Sequence, residues 1–229
     1  MPALNSRKKY LENGYYHIYN RGVEKRKIFE DIQDYKVFAS YLKNYLIAVD
    51  KNLLQEKLSN HAISARERDN VIKDLRRNNF SDEISLIAYC LMPNHFHFLI
   101  KQNSADSIDI FMNSLGTRYT MYFNRKYKRV GSLYQGVYKA VLVETDEQLL
   151  YLTKYIHKQA LSNLQGETLE SHPSSFGEFI GSKYTNWVKP EEILKSFSEK
   201  KSNLSYKNFV LDNKSADYIV GNLLLEKDL

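Results

Sequence analysis

Cysteine is nearly absent: Cys90 is the only one in 229 residues. No intramolecular disulfide can form, which fits a reducing compartment. Long apolar runs are missing too. No stretch approaches the roughly 20 apolar residues that a membrane span requires. The opening run MPALNSRKKYLENGYY has charge but lacks the apolar core of a secretory signal. There are no internal repeats and no low-complexity tracts. These absences set aside disulfide-stapled and membrane-spanning classes, and the expectation is a soluble, cytoplasmic protein with no membrane partner.

Apolar residues make up 43% of the chain, with a heavy aromatic load of 18 Tyr and 11 Phe. That suffices for a proper core, in one large domain or one domain with a small appendage. The net charge of +6 and a pI near 9.1 point to an acidic partner, nucleic acid foremost. The run RYTMYFNRKYKR concentrates this character: Arg118, Arg125, Lys126, Lys128 and Arg129 occur without an acid, and Tyr119, Tyr122, Phe123 and Tyr127 lie between them. Cations of this kind track phosphates, and aromatic faces stack on unpaired bases. The same spacing also describes an amphipathic helix whose aromatics are core, and for the aromatics the two readings stand level.

YYHIYNRG (15–22) alternates Tyr16 and Ile18 against His17 and Tyr19, the pattern of a strand. Residues 31–49 place Ile32, Tyr35, Phe38, Leu42, Tyr45, Leu46 and Val49 at helical spacing. Residues 50–80 are charged and read as an exposed helical or irregular insertion. EISLIAYCLMP (83–93) is a strand stopped by Pro93, and HFHFLIKQ (95–102) is its antiparallel partner. A helix over 107–127, weakened at Gly116, a strand over 132–144 with a kink at Gly136, and a helix over 145–163 follow. Thr145 and Gln148 have the spacing of a capping box. The order strand, helix, strand, strand, helix, strand, helix predicts an α+β, ferredoxin-like (RRM-like) antiparallel sheet with helices on one side. The domain reading is a unit over 1–181 carrying the insertion at about 50–80, then a helical C-terminal extension over 182–229. There, Pro190 opens a helix.

Residues two apart in a strand share a face, so His95 and His97 project side by side while Phe96 and Phe98 turn away. Two neutral imidazoles can hold one divalent metal. From the pair alone, two ordinary hydrogen-bonded histidines on a solvated face is the simpler reading. A third group shifts the balance. On the helix from 145, Leu149, Leu152, Ile156 and Ala160 share the core arc, and Tyr155 and Gln159 lie four apart at its edge. There, Gln159 offers an amide oxygen and Tyr155 a phenol. Zinc prefers three or four N or S ligands, so Mg²⁺ or Mn²⁺ in a mixed N/O site is at least as well suited. His157 lies about 160° round from Tyr155 and is left out of the metal set.

The sequence resembles the HUH-type single-tyrosine transposases, named for a His-hydrophobe-His motif, and within them the REP-associated tyrosine transposase branch. The matching pieces are YYHIYNRG, IFEDIQDYKVF, AYCLMPNHFHFLI, GSLYQGVYKAVLV, LLYLTKYIHKQ and HPSSFGEFIG. They run in order from about residue 15 to 181, and the MPNHFH stretch is the specific one. The resemblance implies that His95 and His97 are metal ligands around the hydrophobe Phe96, that Tyr155 is the nucleophile and that Gln159 is a polar third ligand. It implies Mg²⁺ or Mn²⁺ as cofactor and single-stranded or hairpin DNA as partner. The implied reaction is cleavage and rejoining through a covalent 5′-phosphotyrosine. Relatives often carry Asn-Pro where this chain has Gln159-Ala160, and an Arg where it has Val137. Candidate DNA contacts are Asn20, Arg21, Arg118, Arg125, Lys126, Arg129 and Lys139, with Arg7, Lys8 and Lys9 as a basic arm. Lys154, Lys158 and Lys139 are candidates to ease ionisation of the tyrosine. Two other functions compete: hairpin binding without cleavage, and a metal-dependent nuclease that uses water. The resemblance leaves a homodimer open, with the tyrosine serving its own subunit or a partner's.

Overall fold

The computed structural model describes residues 10–161, 173–197 and 202–212. The basic arm Arg7, Lys8 and Lys9, the segment 162–172 and the chain beyond 212 lie outside the described residues. In chain order the elements are β1 (Tyr15–Arg21), α1 (Ile32–Leu46), α2 (Lys51–Ser59), α3 (Ala65–Arg76), β2 (Ile84–Met92), β3 (His95–Gln102) and α4 (Ser107–Lys126). They continue with β4 (Lys139–Val143), α5 (Asp146–Leu161), α6 (Phe176–Phe179), α7 (Glu191–Leu194) and α8 (Ser202–Leu211).

The four strands form one antiparallel sheet in the order β2-β3-β1-β4. This is the ferredoxin-like arrangement, with β3 and β1 central. One face carries Tyr16, Ile18, Leu86, Tyr89, Leu91, Phe96, Phe98 and Ile100, packed on Phe38 and Leu42 of α1 and Phe111, Leu115 and Tyr119 of α4. The other face is covered as well. Ile87, Ala88, Cys90, Met92 and Leu99 meet Leu152, Ile156 and Ala160 of α5, together with Phe176, Phe179, Ile193 and Tyr206. Helices on one side was therefore only half of the arrangement. The physical reason lies in β2 and β3, which are apolar on both faces. A register shift between Leu86 and Ala88 marks an irregularity in β2, and Ile87 and Ala88 both belong to the second core.

The charged insertion forms two helices, α2 capped by Asp50 and α3 capped by a Ser64–Glu67 box. α4 runs unbroken through Gly116. The expected strand over 132–144 shortens to five residues, because 132–138 follows the end of β1 without forming a ladder, its one β-bridge being the isolated pair of Tyr134 and Gly22. Gly22 ends β1 where no other residue fits: a Cβ there would lie 2.2 Å from the Arg26 carbonyl oxygen. Its N–H donates to the Asn94 carbonyl, and Pro93 O accepts from Ile28 and Phe29. These bonds tie the tight β2–β3 turn, and hence the start of β3, to the exit of β1. Thr145 caps α5 by accepting from the Gln148 N–H, and the Gln148 side chain reaches back to the Glu144 N–H.

The aromatics of RYTMYFNRKYKR are core. Tyr119 and Phe123 are buried, and Tyr122 and Tyr127 donate to the buried Asp34 carboxylate at 2.9 and 2.8 Å. Lys126 spans Asp31 and Asp34 at 2.7 Å. Asp34 also accepts from the Glu30 N–H. Its burial works against the charge, but the Lys126 ammonium and these donors outweigh it and hold the carboxyl below its ordinary range. Asp34→Ala leaves two phenols without their acceptor and Lys126 with Asp31 alone, so the expected loss of stability is on the order of 3 kcal/mol. Urea unfolding checks this, with a smaller loss expected for Asp31→Ala.

Candidate active site

β3 opens with His95 immediately after the Pro93–Asn94 turn, and Asn94 Oδ1 accepts from His95 Nδ1 at 2.7 Å. An amide oxygen only accepts, so His95 Nδ1 carries the proton and Nε2 keeps its lone pair. Two residues on, the buried His97 shares a 2.9 Å hydrogen bond between its Nδ1 and His17 Nε2 on β1. The His97 Nε2 atom is buried without a hydrogen-bond partner. The His95 and His97 rings lie 5.0 Å apart, edge to face. The structure thus leaves the same nitrogen available on each histidine, and a neighbour fixes each ring from the opposite side.

α5 brings Tyr155 over this pair. Its ring meets His97 edge-on at 5.5 Å and His17 at 6.1 Å, and its hydroxyl is buried without a hydrogen-bond partner. Gln159 follows one turn later on α5, half-buried. Among the described residues, no three His, Cys, Asp or Glu converge as a metal-holding group. Two imidazoles with free Nε2 atoms, one of them buried and orphaned, fit a divalent cation whose remaining ligands are oxygens such as the Gln159 amide.

Both histidines are held neutral. Burial and the Arg21 charge bring His95 down to about 4, and burial, His17 and His95 push His97 well below its ordinary value. Neutral imidazole is the form that binds metal. His157 is also buried, with its pKa lowered by burial to about 3. Both its nitrogens are taken, by Tyr206 OH at 2.6 Å and Ser175 Oγ at 2.8 Å. Neither His157 nitrogen is therefore open to a further ligand.

Sequence reasoning missed His17. The alternation of YYHIYNRG turned His17 away from Ile18, but it carried no sign that β1 lies beside β3, which is what makes His17 the diagonal neighbour of His97.

The candidate DNA contacts divide by place. Arg21 is paired with His95 in register. It hydrogen bonds to Gln135 through Nε, and its NH1 atom is buried without a partner. Lys139 is exposed and pairs with Tyr19, which also pairs with His97, so both lie on the histidine face. Asn20 is turned to the other face, donating to Gly136 O at 3.1 Å. Arg125 is exposed. The remaining three are held by the α4 side of the fold: Arg118 stacks on Tyr41 at 4.2 Å, Lys126 is paired with Asp31 and Asp34, and Arg129 bonds Asn124 beside Phe123. On α5, Lys154 lies over Phe209 at 4.8 Å and Lys158 donates to Asp212 O at 2.8 Å. Both turn towards α8, which leaves Lys139 as the lysine of the three on the sheet side.

Residues 57–159 match the model of a family described as transposase IS200 like. The match contains His95, His97, Tyr155 and Gln159. No curated protein matches the chain. A solved structure of a REP-associated tyrosine transposase bound to a REP hairpin is 10% identical, over 81% of this chain and 90% of that one, with a TM-score of 0.43. A proposed transposase of Deinococcus radiodurans is 16% identical, over 68% of this chain and 97% of that one, with a TM-score of 0.28. No residue role is carried over from either structure.

Three imidazoles therefore enter the fold neutral. Below an unfolded pKa near 6.5 the unfolded chain binds more protons than the native one, so stability falls as pH falls. The expected urea midpoint is lower at about pH 5.5 than at about pH 7.5. Each imidazole contributes a slope of roughly 1.4 kcal/mol per pH unit in the window from about 6 down to its native value. His157→Gln is expected to flatten the slope by one such increment. A midpoint independent of pH across that range overturns neutral burial.

Proposed function

We propose, on the premise that the chain is a relative of IS200-like transposases, that it cleaves and rejoins single-stranded or hairpin DNA with Tyr155 as nucleophile. The observation that supports this best is the meeting of two buried, unpartnered polar atoms, the Tyr155 hydroxyl and His97 Nε2. They come from helix and sheet, and their rings are 5.5 Å apart. A fold leaves such groups unsatisfied at a cost, and functional sites are where that cost is tolerated. The same proposal divides the chain into a catalytic unit over 1–181, with the helical insertion at about 50–80, and an extension over 182–229. It places the protein in the cytoplasm; no helix among the described residues is long and apolar enough to cross a membrane.

In this reading His95 and His97, with Gln159, hold Mg²⁺ or Mn²⁺, and the chemistry a divalent ion supplies there is Lewis-acid polarisation of the scissile phosphate. The Tyr155 oxygen attacks phosphorus in line. The bond from phosphorus to the 3′ oxygen breaks, a 3′-OH leaves, and the 5′-phosphate stays on the tyrosine. Attack by another 3′-OH reverses the step and rejoins DNA without ATP, because the phosphotyrosine conserves the bond energy. A phenol of ordinary pKa is ionised about once in a thousand at neutral pH, a cost of roughly 4 kcal/mol. Arg21, with its unused NH1, and Lys139 are the cations on the histidine side that meet the phosphate charge.

The reading is tested with labelled hairpin oligonucleotides, Mg²⁺ or Mn²⁺, and a denaturing gel. A protein–DNA adduct is expected, lost in Tyr155→Phe and in His95→Ala. Cleavage without an adduct turns the assignment to a water-using nuclease, and binding without cleavage across a broad pool turns it to a hairpin-binding protein. A second measurement isolates the metal site from catalysis. His17→Leu removes the hydrogen-bond partner of His97 Nδ1, whereas His17→Gln keeps one. Mn²⁺ affinity of the DNA-free protein, read by calorimetry, is expected to fall about 10-fold in the first variant and to recover in the second.

A further inference from the structure

Tyr19 is a buried aromatic that belongs to neither core. It is 7% exposed, yet it joins neither the apolar cluster under α1 and α4, which takes Tyr16 and Ile18, nor the one under α5. Its surroundings are polar instead. In strand register it lies directly opposite His97 on β3 and Lys139 on β4. His17 and Arg21, two residues before and after it on β1, share its face. Apolar packing therefore does not account for an aromatic side chain at this position.

The ring is held in a fixed relation to the candidate site. Its centroid lies 4.9 Å from that of His17 and 5.9 Å from that of His97. Tyr155 meets the same two imidazoles edge-on, at 6.1 and 5.5 Å. Two phenols thus flank one imidazole pair, one carried by the sheet and one by α5. The sheet-borne phenol is the middle of a row: His97, Tyr19 and Lys139 follow one another across β3, β1 and β4. Neighbouring strands are about 4.8 Å apart, so the row spans roughly 10 Å along the sheet. A phosphodiester presented to Tyr155 beside His97, with its charge met by Lys139 and Arg21, lies over Tyr19.

In phosphoryl transfer, negative charge spreads over the non-bridging oxygens, and a site lowers the barrier with donors that are already in place. Arg21 and Lys139 meet that charge as cations. A phenol hydroxyl is a neutral donor that makes a short, strong bond to an anionic oxygen. We propose that Tyr19 is a further catalytic residue, its hydroxyl donating to one non-bridging oxygen of the scissile phosphate as Tyr155 attacks. Tyr19 keeps its proton throughout. The bond from the Tyr155 oxygen to phosphorus forms, and the bond from phosphorus to the 3′ oxygen breaks. The proposal rests on the reading of Tyr155 as the nucleophile and adds a second tyrosine with a different task.

Tyr19→Phe keeps the ring and removes only the hydroxyl. Single-turnover adduct formation on a labelled hairpin oligonucleotide is expected to slow about 100-fold, the scale of removing one preorganised donor. Affinity for the same oligonucleotide, read by fluorescence anisotropy without divalent metal, is expected to stay at the wild-type value, because a bond made chiefly in the transition state adds little to binding. The two phosphorothioate diastereomers at the scissile position separate contact from structure, since sulfur is a poor hydrogen-bond acceptor. With one diastereomer the variant is expected to react as fast as the wild type, and with the other the gap persists. A gap of equal size with both, which is what a displaced Tyr155 produces, overturns the proposal, and so does full activity of Tyr19→Phe. In either case an adduct lost in Tyr155→Phe keeps the enzymatic reading in place, whereas no adduct from the wild type on any oligonucleotide removes both. Should Tyr19→Phe fail to fold, fluorotyrosine at position 19 decides, because it keeps ring and hydroxyl and only strengthens the donor. The ratio of the two diastereomer rates is expected to shift, and an unchanged ratio overturns the contact.

Discussion

The double coverage of the β2–β3 hairpin is the constraint on which the rest depends. Because helices lie on both faces, alternate residues of β3 enter two different cores: Phe96, Phe98 and Ile100 on one side, His97 and Leu99 on the other. An imidazole in that position stays neutral, since burial penalises its charge. It also needs a partner, and His17 supplies one at Nδ1. The remaining nitrogen has none within the protein. Burial thus does two things at once: it keeps the ring neutral, and it leaves one unpartnered nitrogen on the side of the tyrosine helix.

That helix is held from both sides. Leu152, Ile156 and Ala160 pack on the sheet, while His157 joins Tyr206 of α8 to Ser175 at the start of α6. Ser175 Oγ in turn accepts from the Tyr89 N–H of β2. At the far end of β1, Tyr15 donates to Glu192, which also meets Lys101. The C-terminal helices are therefore part of the support of the site. They complete the second core, and they fix the height at which α5 carries Tyr155 over His97.

Charge on this protein is less free than its net value suggests. Lys126, Arg118 and Arg129 neutralise buried acid or lie on aromatic rings of the α1–α4 face. Arg21 and Lys139 are different, because strand register sets them beside the histidines at one end of the sheet. A basic composition attracts an acidic partner, but the placement of these few residues decides where positive charge faces the histidines.

The strand and helix order was legible from periodicity, because side-chain alternation in β1, β2 and β3 and the 3.6-residue repeat of α1, α4 and α5 are local properties. The pairing of His95 with His97 on one face, the edge position of Tyr155 and Gln159, and the turning of His157 away from Tyr155 were legible for the same reason. Helix propensity also pointed to a weakness at Gly116 that packing overrode, and strand propensity extended β4 into 132–138, where an isolated bridge at Tyr134 replaces a ladder. The aromatic run after Arg118 stayed ambiguous, since the spacing of a core face and of a stacking platform is the same. Tertiary structure alone decided that α5 covers the second face, that His17 lies beside His97, and that Lys126 serves Asp34. Each of these depends on which elements become neighbours across long stretches of chain, and a local pattern holds no record of that.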